Sequence, residues 1–445
     1  MSRILAIAMG LVAGAAGPAA DALAASLSDE EARVLVDEVR ALRSKVEVLE
    51  KRLTEDEAER KASTTIKWKG SPQFVQQDRT FKVKGRIQTD AGHVAAPGGL
   101  DDKGLGFSNE FRRIRLGGEG RLGSGFGYKL ELELSDNAVD LVDAFVTHDS
   151  GLWRLTIGNH NQFQSLDELT GDTSGSFMER AAFTDAFNFE RRLGVSAQYA
   201  RGLLLLQAGV FTDDIGALAN DSDGPSGGDE NNSFSIDGRV VYSPEAGNAQ
   251  LHLGSSAHWR KLERISDDPV RYRQRPFLHA TNSRLIGTRP LNVEREFSYG
   301  VELAAVKGPW SAAAETHWLR ATRMDGPAAR FFGGYAELGY FLTRGDRRPY
   351  KNGIFGVTDP KRPLGDGGVG AVQVNLRYDY LDLDSREIRG GKQNAYLASV
   401  IWSPVNYLRL NLNYGYIDYD GAIALADGRA DYGVHVVGSR LELDF

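Results

Sequence analysis

From Phe81 onward, apolar and polar residues alternate one for one, and the polar face of many segments carries full charge. Phe81, Val83, Ile87 and Ala91 alternate with Lys82, Lys84, Arg86 and Asp90, and Phe126, Tyr128, Leu130, Leu132 and Leu134 with Lys129, Glu131 and Glu133. Val372, Val374, Leu376, Tyr378 and Tyr380 likewise oppose Gln373, Asn375, Arg377 and Asp379, and Leu408, Leu410, Leu412, Tyr414 and Tyr416 oppose Arg409, Asn411 and Asn413. Because the side-chain period of a strand is two, each set occupies its own face. A soluble sandwich also alternates, but it turns its apolar face inward and its chain rarely runs this far as one domain. A barrel in a bilayer turns the apolar face to lipid, so its interior can stay charged and wet. The last segment obeys the same rule, with Leu441, Leu443 and Phe445 opposite Arg440, Glu442 and Asp444. The expected fold class is all-β, a transmembrane antiparallel β-barrel. Roughly 360 residues, at about 22 per strand and connection, make about 16 strands of about ten residues each.

The first 80 residues follow different rules. With 445 residues, 41% hydrophobic content and a mean hydropathy of −0.35, the chain is too polar for a helical membrane protein, and only its first residues could form an apolar helix. Met1-Ser2-Arg3, the run Ile4 to Ala16 and then Ala22-Leu23-Ala24 read as the basic, apolar and cleavage regions of a signal peptide, residues 1–25. Leu35, Val39, Leu42, Val46, Leu49 and Leu53 then recur at alternating steps of four and three, which predicts a coiled-coil helix over residues 26–62, placed in the periplasm. An amphipathic helix packed on its own domain is the alternative. A linker, 63–80, separates it from a barrel spanning 81–445. There are no cysteines, so disulfides and thiolate metal sites are excluded. A net charge of −7 speaks against nucleic acid as a partner, while saying little about the inside of a pore.

Short connections at Gly120-Arg121-Leu122-Gly123-Ser124-Gly125 and Ser403-Pro404-Val405-Asn406 are expected to be periplasmic turns, and long ones, Ile215 to Ser233 and Ser266 to Asn292, extracellular loops. Gly118-Glu119-Gly120-Arg121-Leu122-Gly123 has dinucleotide-site spacing, but a strand from Phe126 follows where that site needs a helix. Gly224-Pro225-Ser226-Gly227-Gly228 has nucleophile-elbow spacing without the flanking strand and helix. Asp221, Asp223, Asp229 and Glu230 lack the full spacing of a calcium loop. None of the eight His residues pairs at His-x-x-x-His spacing. No cofactor or metal is expected, and no catalytic residues.

The basic residues are distributed unevenly. Residues 81 to 130 hold nine Lys or Arg against five Asp or Glu, an excess of four that the chain-wide charge conceals. In Arg112-Arg113-Ile114-Arg115-Leu116-Gly117, if Ile114 and Leu116 face lipid, Arg113 and Arg115 face the lumen, with Arg112 near the strand start and able to turn inward. Lys82, Lys84 and Arg86 share the lumen side of the preceding strand. Guanidinium forks bind phosphate or carboxylate oxygens and cannot lose their charge, and rings of Arg or Lys make pores anion-selective. Lumen Arg could instead pair with Glu119, Glu131 and Glu133 and rigidify a wide, weakly selective pore.

Several blocks then become recognisable: Arg112 to Gly117, Tyr128-Lys129-Leu130-Glu131, Leu166-Asp167-Glu168-Leu169-Thr170, Phe177-Met178-Glu179-Arg180, Arg191-Arg192-Leu193-Gly194-Val195, Gly334-Tyr335-Ala336-Glu337, Tyr340 to Tyr350 and Leu376 to Leu383. Their order resembles the phosphate- and polyphosphate-selective porin family of the O/P type, over about Lys67 to Phe445. The resemblance implies a 16-stranded homotrimeric barrel, a third loop folded into the lumen, and an arginine ladder leading small anions to a lysine-lined constriction. On it, Arg86, Arg112 and Arg113 match ladder positions, Lys129 matches a constriction lysine and Arg180 closes the loop segment. Arg115, Arg191 and Arg192 join the candidate anion path. The chain departs from the family between Ser165 and Phe177, where Asp167, Glu168 and Asp172 stand and no lysine does. By resemblance to outer-membrane proteins in general, the terminal Phe445 marks the last strand for the barrel-assembly machinery, and the outer membrane with its lipopolysaccharide surrounds the wall. The expected function is passive diffusion of small hydrophilic solutes with an anion preference, phosphate included. A structural or adhesive barrel tethered through its coiled coil, and a barrel hydrolase, are the competing classes.

Overall fold

The computed structural model describes residues 29–445 apart from 69, 96, 101, 136–137, 213–214, 216–232 and 263–268. The signal-peptide reading, the nucleophile-elbow and acidic-run segments and most of the first long polar loop lie outside the described residues. Two compact units divide the chain at Thr65. The first contains α1, Asp29–Ala62, 34 residues long, and the side chains of Leu35, Val39, Leu42, Val46, Leu49 and Leu53 are all exposed on it.

In the second unit sixteen strands form one closed antiparallel barrel: β1 Arg79–Val94, β2 Gly106–Gly123, β3 Phe126–Glu133, β4 Asp140–Ser150, β5 Trp153–Asn161, β6 Arg191–Arg201, β7 Leu204–Phe211, β8 Phe234–Tyr242, β9 Ala249–Lys261, β10 Val293–Lys307, β11 Trp310–Arg323, β12 Ala329–Phe341, β13 Ala371–Asp382, β14 Lys392–Val405, β15 Leu408–Asp420 and β16 Tyr432–Asp444. Each strand pairs with its sequence neighbours, and β16 pairs with β1 from Val436↔Val94 to Asp444↔Arg86, which closes the ring and removes both sheet edges. The alternation predicts the faces correctly. Leu130, Leu376 and Leu412 are exposed on the outer wall, while Glu131, Asn375, Arg377, Asp379 and Asn413 are buried inside.

Three local features depart from the sequence reading. Arg112 does not stand at a strand start. It lies within β2 at a bulge, where Gln88 pairs with Arg113 and Thr89 with Phe111, so that Arg112 is the extra residue. With Phe111 and Ile114 both on the outer face, Arg112 and Arg113 are consecutive residues directed inward. Second, Gly120 to Gly123 belong to β2 and Ser403 to Val405 to β14, so the turns are shorter than expected, at Ser124-Gly125 and Asn406-Tyr407. Third, not every long connection lies at one end. Residues 342–370 join β12 to β13 at the end where the other connections are tight turns. This segment folds back into the barrel around a short hairpin, Tyr350–Lys351 with Ile354–Phe355. There Arg239 donates to the Gly353 carbonyl at 2.9 Å and Tyr350 Oη meets His252 Nδ1 at 2.6 Å.

From the opposite end, connections 162–190 and 262–292 enter the lumen. Phe177, Phe183 and Phe187 of the first and Tyr272, Leu278 and Ile286 of the second join Phe331, Leu381 and Val436 of the wall in one buried apolar cluster. Part of the lumen is therefore a packed apolar core, and one cluster of charged groups lies where connection 162–190 meets β1, β2 and β16.

Candidate functional site

The site is the inward connection 162–190, which carries the short helices α2, Leu166–Leu169, and α3, Ala182–Ala186. Its backbone is pinned to the wall by carboxylates. Glu315 of β11 accepts from the amides of Leu166 and Asp167 at 2.8 and 2.7 Å and from Tyr335 Oη at 2.6 Å. Ser165 Oγ caps α2 by accepting from the amides of Asp167 and Glu168. Asp167 accepts from the Ala181 amide at 2.7 Å, and Asp379 of β13 from the Ala182 amide at 2.9 Å. Phe183 stacks on His317 at 5.6 Å and lies against Gly333, where an added Cβ would come within 2.5 Å of its own Cβ. Hydrogen bonds from Asn375 and Ser399 to the Ser176 carbonyl and from Arg440 to the Met178 carbonyl extend the attachment to β13, β14 and β16. The connection thus spans the barrel interior.

Nearly every candidate cation meets a carboxylate here. Asp172 is shared by Arg86, at 2.6 Å, and Arg113, at 2.7 Å. Arg86 also donates to Asp444 from Nε and Nη2, both at 3.1 Å. Glu179 is shared by Arg112, at 3.2 Å, and Arg440, at 2.6 Å, and Arg440 also holds Asp90 at 2.7 Å. Arg115 pairs with Glu133 at 2.8 Å, and Lys129 with Glu131 and Asp143 at 3.1 and 2.6 Å. Asp143 binds Arg191 as well, at 2.8 Å. Arg192 pairs with Glu190 at 3.3 Å. Arg180 contacts Glu168 at 3.4 Å and donates to the carbonyls of Asp167, Glu168 and Thr170, so its guanidinium closes the loop upon itself. The pairing of Arg115 and Lys129 with Glu133 and Glu131 is the rigidifying arrangement left open by the sequence.

Besides Arg440, three further guanidinium groups belong to the site although the sequence reading left all four off the candidate path. Arg377 binds Glu337 at 2.7 Å and Asp167 at 3.4 Å, Arg348 binds Glu337 at 2.6 Å, and Arg409 donates to the Gly175 carbonyl. Alternation marks Arg377 and Arg409 as lumen residues. Arg348 lies in the turn-end segment, and no local pattern announces that it folds inward.

The loop carboxylates respond differently to this setting. Burial works to raise Asp172 and Glu179, yet Arg113 and Arg86 hold Asp172, and Arg112 and Arg440 hold Glu179, below the usual carboxylate range. At Glu168 burial wins over Arg180 and Arg191, and its carboxyl is pushed up. Beneath the loop lies a cavity of about 20 Å³, lined in part by Arg113, Arg180, Arg377, Asp167, Asp172 and Glu179. That is room for about one water molecule. Among the described residues no group of three or more His, Asp or Glu could hold a metal ion. The arrangement offers fixed charges of both signs around this small cavity, with Phe355 of the turn-end hairpin donating from its amide to Thr170 Oγ1 at 3.4 Å on the loop.

The sequence pattern of the family described as phosphate-selective porin O and P matches residues 81–445. The chain belongs to that family. This porin is 65% identical to an uncharacterized protein of Caulobacter vibrioides over 384 residues, 86% of this chain and 78% of the other. Its barrel superimposes on OmpT of Vibrio cholerae, in vitro folded and in trimer form, with a TM-score of 0.52 at 11% identity, covering 82% of this chain and 99% of that one. An anion-selective porin from Comamonas acidovorans matches with a TM-score of 0.51 at 13% identity, covering 82% and 100%. Salmonella typhi OmpF matches with 0.52 at 9% identity, covering 86% and 100%. At such identities these structures establish the fold, that of a 16-stranded outer-membrane porin. The porin's inward loop has the expected position, and its sole basic residue from 162 to 190 is Arg180.

Proposed function

We propose that this porin is a homotrimer that passes small hydrophilic solutes by diffusion, with a modest preference for small anions such as phosphate. What supports the anion preference is the cavity under the inward loop. Arg377 lines it, and Nη1 of that buried guanidinium has no hydrogen-bond partner among the described residues. A buried donor left open invites an acceptor, here one water molecule through which the guanidinium charge reaches a passing anion. Arg86, Arg112, Arg113, Arg115, Lys129, Arg180 and Arg191 form the path toward and past it, and Arg192 contributes from the wall behind. Because carboxylates pair with these groups at 2.6 to 3.4 Å, the net field is small and the preference weak. Neutral solutes pass by size.

The loop end faces outside and the turn end the periplasm, where α1 supplies an exposed heptad stripe for assembly with copies of itself. The test is a planar-bilayer recording across a KCl gradient, followed by phosphate titration. The expected result is a small conductance, a reversal potential of anion sign well short of ideal, and partial block by millimolar phosphate that weakens in Arg377→Gln. A cation-signed reversal potential would overturn the anion preference. The packed apolar core within the lumen favours a second reading, a structural barrel tethered through α1, and the absence of any current would favour it over a pore.

A further inference from the structure

We propose that the outer wall over β10–β13 is a binding seat for an anionic glycolipid of the outer leaflet, with its headgroup oxyanions on Arg320 and Arg330 and an acyl chain in the trough below. Arg320 of β11 and Arg330 of β12 stand directly opposite in the ladder. Both have the parity of the outward face and both are exposed. Like charges opposed across a strand pair are destabilising. Lumen arginines are offset by carboxylates, whereas among the described residues neither of these guanidinium groups has an ion pair; the backbone amide of Arg330 donates to Ser385 Oγ. Arg295 shares this rim on β10, two residue pairs from Arg320, and contacts Glu294 at 3.4 Å. The outward-facing carboxylate paired nearest in register, Asp382, is held by Lys392 at 3.6 Å.

The outer face changes character in layers below this pair. Next along the ladder come Trp318 and Phe332, with ring centroids 5.2 Å apart, and Tyr299 stacked on Trp318 at 5.1 Å. These rings suit the boundary between headgroups and hydrocarbon. One step further, the side chains shrink. Ala314, Thr316, Gly334 and Ala336 floor an apolar trough of about 500 Å³, walled by Leu303 and Tyr378. Since β11 rises to the loop end and β12 descends from it, the sequence from rim to trough runs from the outer surface into the outer leaflet. Cationic fork, aromatic band and apolar trough thus follow the order of headgroup, interface and acyl chain in one amphiphile. Guanidinium groups bind phosphate and carboxylate through paired N–H donors. The occupant is therefore an acylated glycolipid bearing such oxyanions, rather than a free anion or a zwitterionic lipid. The inference rests on the outer-membrane setting and is independent of the pore's selectivity.

The test uses the full-length porin refolded in detergent without lipid and titrated with deep-rough lipopolysaccharide, with bound lipid counted by native mass spectrometry. Phosphatidylethanolamine and inorganic phosphate are run as separate probes. The seat predicts that Arg320→Gln with Arg330→Gln weakens lipopolysaccharide binding roughly tenfold or more. Lysine at both positions retains most of it, and Ala336→Leu, which fills the trough, weakens it as well. Heat-modifiable migration and single-channel conductance, read in the same variants, remain those of the parent, because every substitution lies on the outer face. Equal binding by the double glutamine variant, or phosphatidylethanolamine binding as tightly as lipopolysaccharide, would overturn the proposal. So would full displacement by inorganic phosphate in the low millimolar range, which would make the arginine pair a simple anion site. Efficient disulfide cross-linking of Ala336→Cys between copies in the membrane would assign the trough to a protein interface instead.

Discussion

Asp172 faces two guanidinium groups, Arg86 and Arg113, across 2.6 and 2.7 Å, and all three side chains are at most 13% exposed. Replacing it with Asn leaves two buried cations with one partner fewer. Asp172→Asn should therefore shift the reversal potential further toward anions and lower the thermal stability of the barrel, by at most about 3 kcal/mol since lumen water and counterions screen the exposed charge. Bilayer recordings and a melting curve read the two effects separately. Glu168 makes selectivity depend on pH. Its pKa is raised by burial, so as pH falls it takes up a proton before Asp172 and Glu179, which their arginines hold low. Acidification should make the pore more anion-selective, and Glu168→Gln should reduce that change. The stability sign agrees: the contribution of protonated Glu168 is complete below its unfolded pKa and is lost as pH rises through the elevated folded value. A reversal potential that moves toward cations on acidification would rule this out.

At the level of the element, the inward loop is held by carboxylates acting on backbone amides rather than by a helix of its own, since α2 and α3 have four and five residues. Short helices like these do not persist unaided. Glu315 supplies two of the amide bonds. Glu315→Ala should leave the Leu166 amide without an acceptor, at about 1–3 kcal/mol, leave the Asp167 amide only Ser165 Oγ, and loosen the start of the loop. Increased open-channel noise and faster proteolysis between residues 162 and 190 would report it, and unchanged noise would show that the apolar contacts of Phe183 suffice. The β2 bulge is an element of the same importance. Without the extra residue, Arg112 and Arg113 would face opposite sides, and only one would reach the loop. The run of arginines was visible in the sequence, but a bulge leaves no local signature there, since it depends on how β2 registers against β1.

For the whole molecule, closure is concentrated at the seam of β16 and β1. Phe445 exchanges backbone hydrogen bonds with Gly85, both at 2.9 Å, and its ring lies over that glycine, where an added Cβ would approach Cζ to 2.3 Å. Gly85→Val should displace the ring and lower the temperature at which the heat-modifiable band of the folded barrel disappears on gels, whereas Gly127→Ala at β3, away from the seam, should have a smaller effect. The helix and barrel form separate compact units. Deleting residues 29–62 should accordingly leave single-channel conductance unchanged while shifting the trimer–monomer balance seen by light scattering toward monomer. A deletion variant that stays fully trimeric would confine assembly to the barrel wall.

The sequence by itself determined the wall. Period-two alternation depends only on backbone geometry and on which face meets lipid, so the strands, their faces, the lumen position of Arg86, Arg113 and Arg115, and the pairing of the last strand with the first follow from the order of residues. The charge state of the passage depended on tertiary structure. Arg86 meets Asp172 from 86 positions away and Asp444 from 358, and electrostatic pairing depends on distance in space, to which strand periodicity is blind. The inward hairpin at the turn end also had to be seen, because a connection's length does not say whether it extends into solvent or folds back to cover buried polar groups such as Arg239 and Thr170. A run of arginines that reads as a bare anion ladder in one dimension is, in three, a ladder largely neutralised by carboxylates that the inward loop and neighbouring strands bring to it.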